Sequence, residues 1–354
     1  MRRASLRPAP LRTATGHIAV ALSGLILLTA CSTGSTADTA QEAPAEPTTS
    51  VDADAFPVTI EHAFGETTIE QEPTRVATLG WTDQDNVLAL GVVPVGATKL
   101  TWGGNDAGSS DWFDAVLEET GAEQPVRYDD SDGTPIEEIA QLAPDLILAT
   151  NSGITEKEYA KLSKIAPVVA YPEAPWVTPW QVTLETAGKA LGRSALAAEI
   201  AADTQAAIDD AQTNFPELVG TSFIFSYLST ADLSTVGIYG RQDPRVAVME
   251  DFGLVSPPIV EKVVEEGQFY GTLSAERAAE AESDVLITYA ETDEDVATYA
   301  ADKLIGQVPA IKAGRVHAEA DKHVGLAITN PSPLSIPFIV ENFLPHVAEA
   351  ATAS

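Results

Sequence analysis

From residue 75 onward the chain alternates short, β-branched apolar runs with stretches of helical spacing, and this alternation constrains the fold more than any motif does. Arg75-Val-Ala-Thr-Leu79 precedes a helical pattern from Asp85 to Leu90, Leu146-Ile-Leu-Ala149 precedes one from Thr155 to Ile165, and Val168-Val-Ala170 follows. A second block repeats the scheme. Ser222-Phe-Ile-Phe-Ser-Tyr227 and Val285-Leu-Ile-Thr-Tyr289 read as core strands, Pro244 to Phe252 as a helix and Arg315-Val-His317 as a short strand. Continuous apolar runs of this length are buried on both faces, which requires helices to cover the sheet, so the pattern predicts α/β architecture with two sheets.

The blocks are separated by a proline-free stretch from Gln181 to Phe215. Gly192 is a candidate helix stop and Ser194 a candidate N-cap for the next helix. Leu196, Ile200, Thr204, Ala207, Ile208 and Ala211 then recur at three- and four-residue spacing, an amphipathic stripe. A helix of about 20 residues rises roughly 30 Å, the length of a small domain, and suits a strut between two lobes.

The blocks also resemble each other. Pro135-Ile-Glu137-Glu-Ile-Ala-Gln-Leu-Ala-Pro-Asp145 and Leu273-Ser-Ala-Glu276-Arg-Ala-Ala-Glu-Ala-Glu-Ser-Asp284 each place a Glu eight residues before an Asp, and each leads into a core strand. The matched order predicts an internal repeat.

The N-terminus carries a different message. Arg2, Arg3, Arg7 and Arg12 precede an apolar run from Ile18 that ends in Leu28-Thr29-Ala30-Cys31. A basic start, a short apolar stretch and small residues before a cut form an export signal, too short to span a bilayer. Cys31 is the only cysteine, so no disulfide can staple the fold and stability must come from a packed core. Residues 32–54, rich in Thr, Ala, Glu, Pro and Ser, lack periodicity and read as a tether.

Cleavage before Cys31 would remove four of the 20 basic residues and no acidic one, leaving 16 against 52 and a net charge of −36. Such a field disfavours nucleic acid or an anionic membrane surface as partner. The expected organisation is a signal over 1–30, a tether over 31–55, an N-terminal α/β lobe over 56–175, a helical linker over 176–215 and a C-terminal α/β lobe over 216–350.

Several segments carry a family resemblance. Leu28-Thr-Ala-Cys31 resembles a bacterial lipobox, which implies lipidation of Cys31. Phe56-Pro-Val-Thr-Ile-Glu-His-Ala-Phe-Gly65, Pro73-Thr-Arg75-Val-Ala-Thr-Leu-Gly80-Trp81, Ala89-Leu-Gly-Val-Val-Pro-Val-Gly96 and Pro144-Asp145-Leu-Ile-Leu148 follow in order. Asp243-Pro-Arg245-Val and Ser332-Pro-Leu-Ser-Ile-Pro337 complete the series. Together they resemble the substrate-binding lipoproteins of iron-siderophore ABC importers, especially actinobacterial ones. The resemblance implies two α/β lobes joined by one long helix, a ligand cleft between them and little hinge motion. It implies a monomer anchored by lipid to the outer face of the cell membrane, with a ferric siderophore as transported ligand and no cofactor. It further implies that Glu137 and Glu276 dock onto the importer's membrane subunits; Glu138 is the neighbouring alternative, and a solvated helix start is the plain one.

A chelate of that kind needs broad apolar walls and a few directional donors. Trp81, Trp102 and Trp176 lie in turn-rich segments and are candidate walls, whereas Trp112 and Trp180 read as packing. Arg241 with Tyr239, in the glycine-rich run before Pro244, is the preferred polar pair, since a fixed cation binds chelate oxygens by charge-assisted hydrogen bonds. Arg245 reads as a structural partner of Asp243 and a secondary candidate. Arg127 with Tyr128, and Phe269 with Tyr270, are further candidates. The same fold could take haem or cobalamin. Bare metal ions fit less well, because His62, His317, His323 and His346 are the only histidines beyond the signal and the spacing of His317 and His323 suggests a surface turn. No nucleophile elbow, phosphate loop, dinucleotide fingerprint or His-Glu-x-x-His occurs, so an exported hydrolase is the remotest class and no catalytic residue is assigned.

Overall fold

The computed structural model describes residues 45–292 and 294–353. The export signal, Cys31 and the tether as far as residue 44 lie outside the described residues. An antiparallel hairpin of β1 (Val58–His62) and β2 (Gly65–Ile69) opens the fold. The first sheet comprises β3 (Val76–Thr78), β4 (Gly96–Thr98), β5 (Val126–Tyr128), β6 (Leu146–Ala149) and β7 (Val168–Ala170). Its order is β5-β4-β3-β6-β7 and every pairing is parallel. The chain therefore builds outward on one side of β3 and then returns to its other side, so the neighbours β3 and β6 form the switch point of the sheet, at whose carboxyl ends a crevice opens.

The second sheet comprises β8 (Phe223–Ser229), β9 (Asp232–Tyr239), β10 (Tyr270–Ser274), β11 (Val285–Tyr289) and β12 (Val316–Glu319), in the order β10-β9-β8-β11-β12. β8, β11 and β12 are parallel; β9 runs antiparallel to both its neighbours.

The repeated Glu and Asp spacing has a structural basis. Asp145, just before β6, accepts hydrogen bonds from the amides of Thr74 and Arg75 at 2.8 and 2.7 Å, just before β3. Asp284, just before β11, accepts from the Ser222 amide and hydroxyl at 2.9 and 2.6 Å, just before β8. Each Asp thus ties together the starts of the two central parallel strands of its sheet.

Two helices, Trp180–Ala190 and Ser194–Asn214, link the sheets. Gly192 turns the chain between them with φ +67°, a left-handed conformation that suits glycine. The cap differs from expectation: Arg193 holds the N-cap position and Ser194 is already helical, while the Ala195 amide is capped by the Asp52 carboxylate at 2.9 Å. The longer helix packs on its predecessor and on the helix Ser335–Asn342, the last but one of the chain, and its Gln212 side chain donates to the Asp251 carbonyl at 2.8 Å. Thr204, Ile208 and Ala211 of the expected stripe are buried, with Ala197 added.

Residues 45–55, expected to belong to the tether, are held against the first lobe. The Thr48 amide donates to the Gly91 carbonyl at 2.9 Å and the Asp52 amide to the Gly192 carbonyl at 2.8 Å. Arg193, fully buried, donates to the Thr49 hydroxyl, the Thr49 and Leu191 carbonyls and Glu72. Composition alone hid this strap because its partner lies some 144 positions away.

The main apolar core is continuous between the lobes. Val76 and Leu148 from the first sheet share it with Phe225 and Ile287 from the second and with Leu326, Ile336 and Phe343 from the C-terminal helices. Asp85 adds a polar bolt at this joint, accepting from Trp112 Nε1 at 2.8 Å and from the Ser332 hydroxyl at 2.7 Å. Burial pushes its carboxyl up to about 6, against the pull of those two bonds. Among the described residues no helix is long and apolar enough to cross a membrane.

Candidate functional site

The loops leaving β3 and β6 meet where Gly80, at φ +139°, lies so close to Asn151 that a Cβ there would sit 2.4 Å from the Asn151 carbonyl oxygen. Asp83 fastens this junction by accepting from the Thr150 amide and hydroxyl. Burial raises its carboxyl to about 7 even with those bonds. The Thr178 hydroxyl closes the ring on the Thr150 carbonyl at 2.7 Å. Trp81 and Asn151 are thereby presented at the strand ends, the position at which parallel α/β sheets bind ligands.

A cavity of about 280 Å³ opens there between the lobes. Trp81, Asn151 and Trp176 form its first wall. Asp243, Pro244, Arg245 and Phe269 form the second, and Thr329 and Asn330 the floor. Trp176 is 40% exposed and Phe269 38%, so both aromatic side chains are available to whatever enters. Trp176 takes φ +63°, strained for a non-glycine residue. Its indole occupies the space above Gly153, where a Cβ would lie 2.5 Å from Nε1.

Arg245 is the cation of the cleft. Asp243 caps the helix Pro244–Asp251 and binds the guanidinium side-on, with Nε donating to Oδ1 at 2.7 Å and Nη2 to Oδ2 at 2.6 Å. The guanidinium carbon lies 3.6 Å from the centre of the Tyr239 ring, a cation–π stack. Burial opposes its charge, but the Tyr289 phenol, the Asp243 carboxylate and Tyr239 hold its pKa above the ordinary value. Tyr239 is itself pushed up to about 12, chiefly by burial. Behind it Tyr270 packs at 5.2 Å between ring centres. On the floor, Thr329 shares a hydrogen bond of 2.5 Å with the Tyr289 hydroxyl, and Asn330 Nδ2 is buried with no partner among the described residues.

The structure redistributes the expected site residues. Trp81, Trp176 and Arg245 line the cavity, and Tyr239 backs it. Arg241 does not: it points into a separate depression on the second lobe, pairing with Glu250 at 2.9 Å and Glu261 at 3.7 Å. A flexible cation in an acidic chain reaches the nearest carboxylates, and these lie on the helices flanking its loop. Tyr128 is wholly buried and donates to the Thr78 carbonyl, so it cannot reach a ligand. Arg127 stacks on Phe113 and donates to Gln84 and Ser109 beneath the joint. Trp102 meets Tyr289 edge-on at 5.5 Å, which places it in the joint as well. Trp112 and Trp180 are packed, as expected.

His317 and His323 are not in a surface turn. His317 stacks on His346 and pairs with Glu319 at 3.2 Å; His323 stacks on Trp112 and reaches the Gly103 carbonyl at 2.8 Å. A larger depression of about 480 Å³ beside His317 is lined mainly by polar groups and lacks aromatic walls other than imidazoles, unlike the interlobe cavity. Among the described residues no three His, Cys, Asp or Glu side chains are placed to hold a metal ion. Asn151, Gly153 and Asn330 carried no sequence signal; only the spatial neighbours define them.

Glu137 and Glu276 are both exposed in the first turns of short helices, Ile136–Gln141 and the 3₁₀ helix Ala275–Glu280.

Comparison with known proteins places this geometry. Residues 76–319 match a family model described as periplasmic binding protein. The crystal structure of Streptococcus pneumoniae PiaA in complex with ferrichrome is 36% identical, covers 84% of this chain and 99% of its own, and superposes with a TM-score of 0.80. A periplasmic solute binding protein from Mycobacterium smegmatis is 31% identical, covers 83% of this chain and 98% of its own, with a TM-score of 0.69. The probable siderophore-binding lipoprotein YfiY of Bacillus subtilis is 26% identical over 278 residues, spanning 74% of this chain and 80% of its own length.

Proposed function

Because the chain belongs to the periplasmic binding protein family, we propose that it captures a ferric siderophore outside the cytoplasm and delivers it to an ABC importer. The carrying observation is the interlobe cavity: broad indole and phenyl faces, a stacked and ion-paired Arg245, and the unpartnered Asn330 amide. Aromatic walls remove a bulky chelate from water, while the few fixed donors orient its oxygens. Among the relatives, PiaA is crystallised in complex with ferrichrome and YfiY is described as a probable siderophore-binding lipoprotein. No group in the cavity is arranged as nucleophile and base, so the reading is of a binder rather than a catalyst.

In this reading Cys31 supplies the lipid anchor, Glu137 and Glu276 meet the importer's membrane subunits, and the protein acts as a monomer. Tryptophan-fluorescence titration of the purified protein with a panel of ferric siderophores, haem and cobalamin tests the proposal. Saturable quenching by a ferric siderophore supports it; binding only of haem or cobalamin, or of nothing in the panel, refutes it. Fractionation of cells carrying Cys31→Ser tests the anchor, since the variant should leave the membrane.

A further inference from the structure

The cavity is electrically balanced, and a single residue balances it. Of the side chains lining it only Asp243 and Arg245 carry charge. They are joined by two parallel hydrogen bonds of 2.7 and 2.6 Å, and the rest of the lining is indole, phenyl, amide, hydroxyl and proline. The pair is held rigidly. Asp243 accepts from the Arg245 amide at 3.0 Å as the helix cap, and Tyr239 supports the guanidinium from one face. Capping alone would be served as well by Ser or Asn. What the carboxylate adds is cancellation of the Arg245 charge.

We propose, on the basis of the siderophore reading, that Asp243 makes the cleft select ferric chelates by charge, admitting those of zero net charge and turning away anionic ones. Three hydroxamates, each singly negative, balance ferric iron, so a trihydroxamate chelate enters the aromatic cavity with no uncompensated charge. Three catecholates leave the complex trianionic, and an anion buried against indole and phenyl faces needs a cation to offset its lost hydration. Arg245 is the only cation in the lining, and its charge is already balanced by Asp243. The buried Asn330 amide suits the remaining need of a neutral chelate, a donor to a carbonyl oxygen.

The test is a fluorescence titration of the purified protein and of Asp243→Asn against a neutral ferric trihydroxamate and a trianionic ferric tris-catecholate. Asn retains the cap, and a melting curve verifies that the variant is folded. The wild type should prefer the neutral chelate by roughly 100-fold or more, and Asp243→Asn should narrow that preference by roughly tenfold or more as Arg245 is freed. A wild type that binds the tris-catecholate as tightly, or a folded variant with an unchanged ratio, overturns the inference. The salt dependence of the wild type is a readout that needs no variant: affinity for its tightest chelate should stay flat as salt rises, and a steep decline overturns the inference. Binding of an anionic chelate in preference would sink this inference alone, whereas binding of no chelate of either charge would sink the siderophore reading with it.

Discussion

Replacing Arg245 by alanine separates the cleft cation from the expected one at Arg241. If Arg245 donates to chelate oxygens, its loss removes a hydrogen bond from a charged group, about 1.5–3 kcal/mol, or roughly 10- to 150-fold in Kd. Stability should fall too. The Asp243 side chain, only 2% exposed, would keep its bond from the backbone amide of residue 245 but lose its ion-pair partner. Breaking a buried pair costs about 3–5 kcal/mol, which for a folded part of about 300 residues lowers the melting temperature by roughly 5–8 °C. Arg241 is different. Its side chain is 56% exposed and its pairs with Glu250 and Glu261 are of the surface kind, each worth about 1 kcal/mol or less. Arg241→Ala should therefore leave both affinity and melting nearly unchanged. A double variant, Asp243→Asn with Arg245→Ala, should recover much of the lost stability but none of the lost affinity for a neutral chelate. Fluorescence titration and calorimetry on the four proteins give both readouts. Equal loss of affinity in Arg241→Ala and Arg245→Ala, or unaltered binding by Arg245→Ala, would refute the placement of the cation.

Other consequences concern stability and delivery. Asp85 and Asp83 bind their protons more tightly folded than unfolded, at about 6 and about 7 against 3.8, so their stabilisation is complete below about pH 4 and is lost as pH rises through those values. The melting temperature should fall between about pH 4 and about pH 7, and Asp85→Asn should flatten that slope up to about pH 6; buried His62, whose pKa is lowered by desolvation, acts in the opposite sense, so the difference between variant and wild type is the quantity to measure. Arg193→Met should free the strap at residues 48–52, seen as faster amide exchange of Thr48 and Asp52 with little change in chelate affinity; unchanged exchange would show that the strap holds without it. Glu137→Ala with Glu276→Ala should leave chelate affinity intact yet abolish iron uptake in cells lacking another importer for that chelate, each single change giving partial loss. Normal uptake by the double variant would reduce the two glutamates to solvated helix starts.

The parts of the fold legible in the sequence are those whose signal is local. β3, β6, β7, β8 and β11 are continuous apolar runs because both their faces are covered, and each was identifiable from its own residues. β4 is three residues beginning with glycine, and β9 carries Asp, Ser and Thr on exposed positions, so neither shows the strand pattern alone. The Asp of the repeat is readable because in both copies it performs the same task of pinning paired strands at their starts, while the Glu of each copy is exposed. The site was less legible. Glycine-rich surroundings pointed to the right loop but not to the right arginine: Arg245 is turned inward by Asp243 two positions before it, while Arg241 is drawn out to Glu250. Trp102 and Trp81 occupy similar turn-rich contexts, and only the joint built by Tyr289 and Gly325 decides that one packs and the other lines the cavity. Asn151 and Asn330 have no local signature at all, since their role comes from the approach of segments far apart in the chain.

The most direct test of capture in the interlobe cleft is diffraction at the iron absorption edge from crystals grown with a ferric trihydroxamate. One strong anomalous peak is expected between the Trp81 and Trp176 rings on one side and Arg245 on the other, with chelate oxygens within hydrogen-bond distance of the guanidinium or the Asn330 amide. A peak in the depression beside Arg241 or beside His317, or a cleft free of iron in crystals of protein saturated with the chelate, would contradict the account.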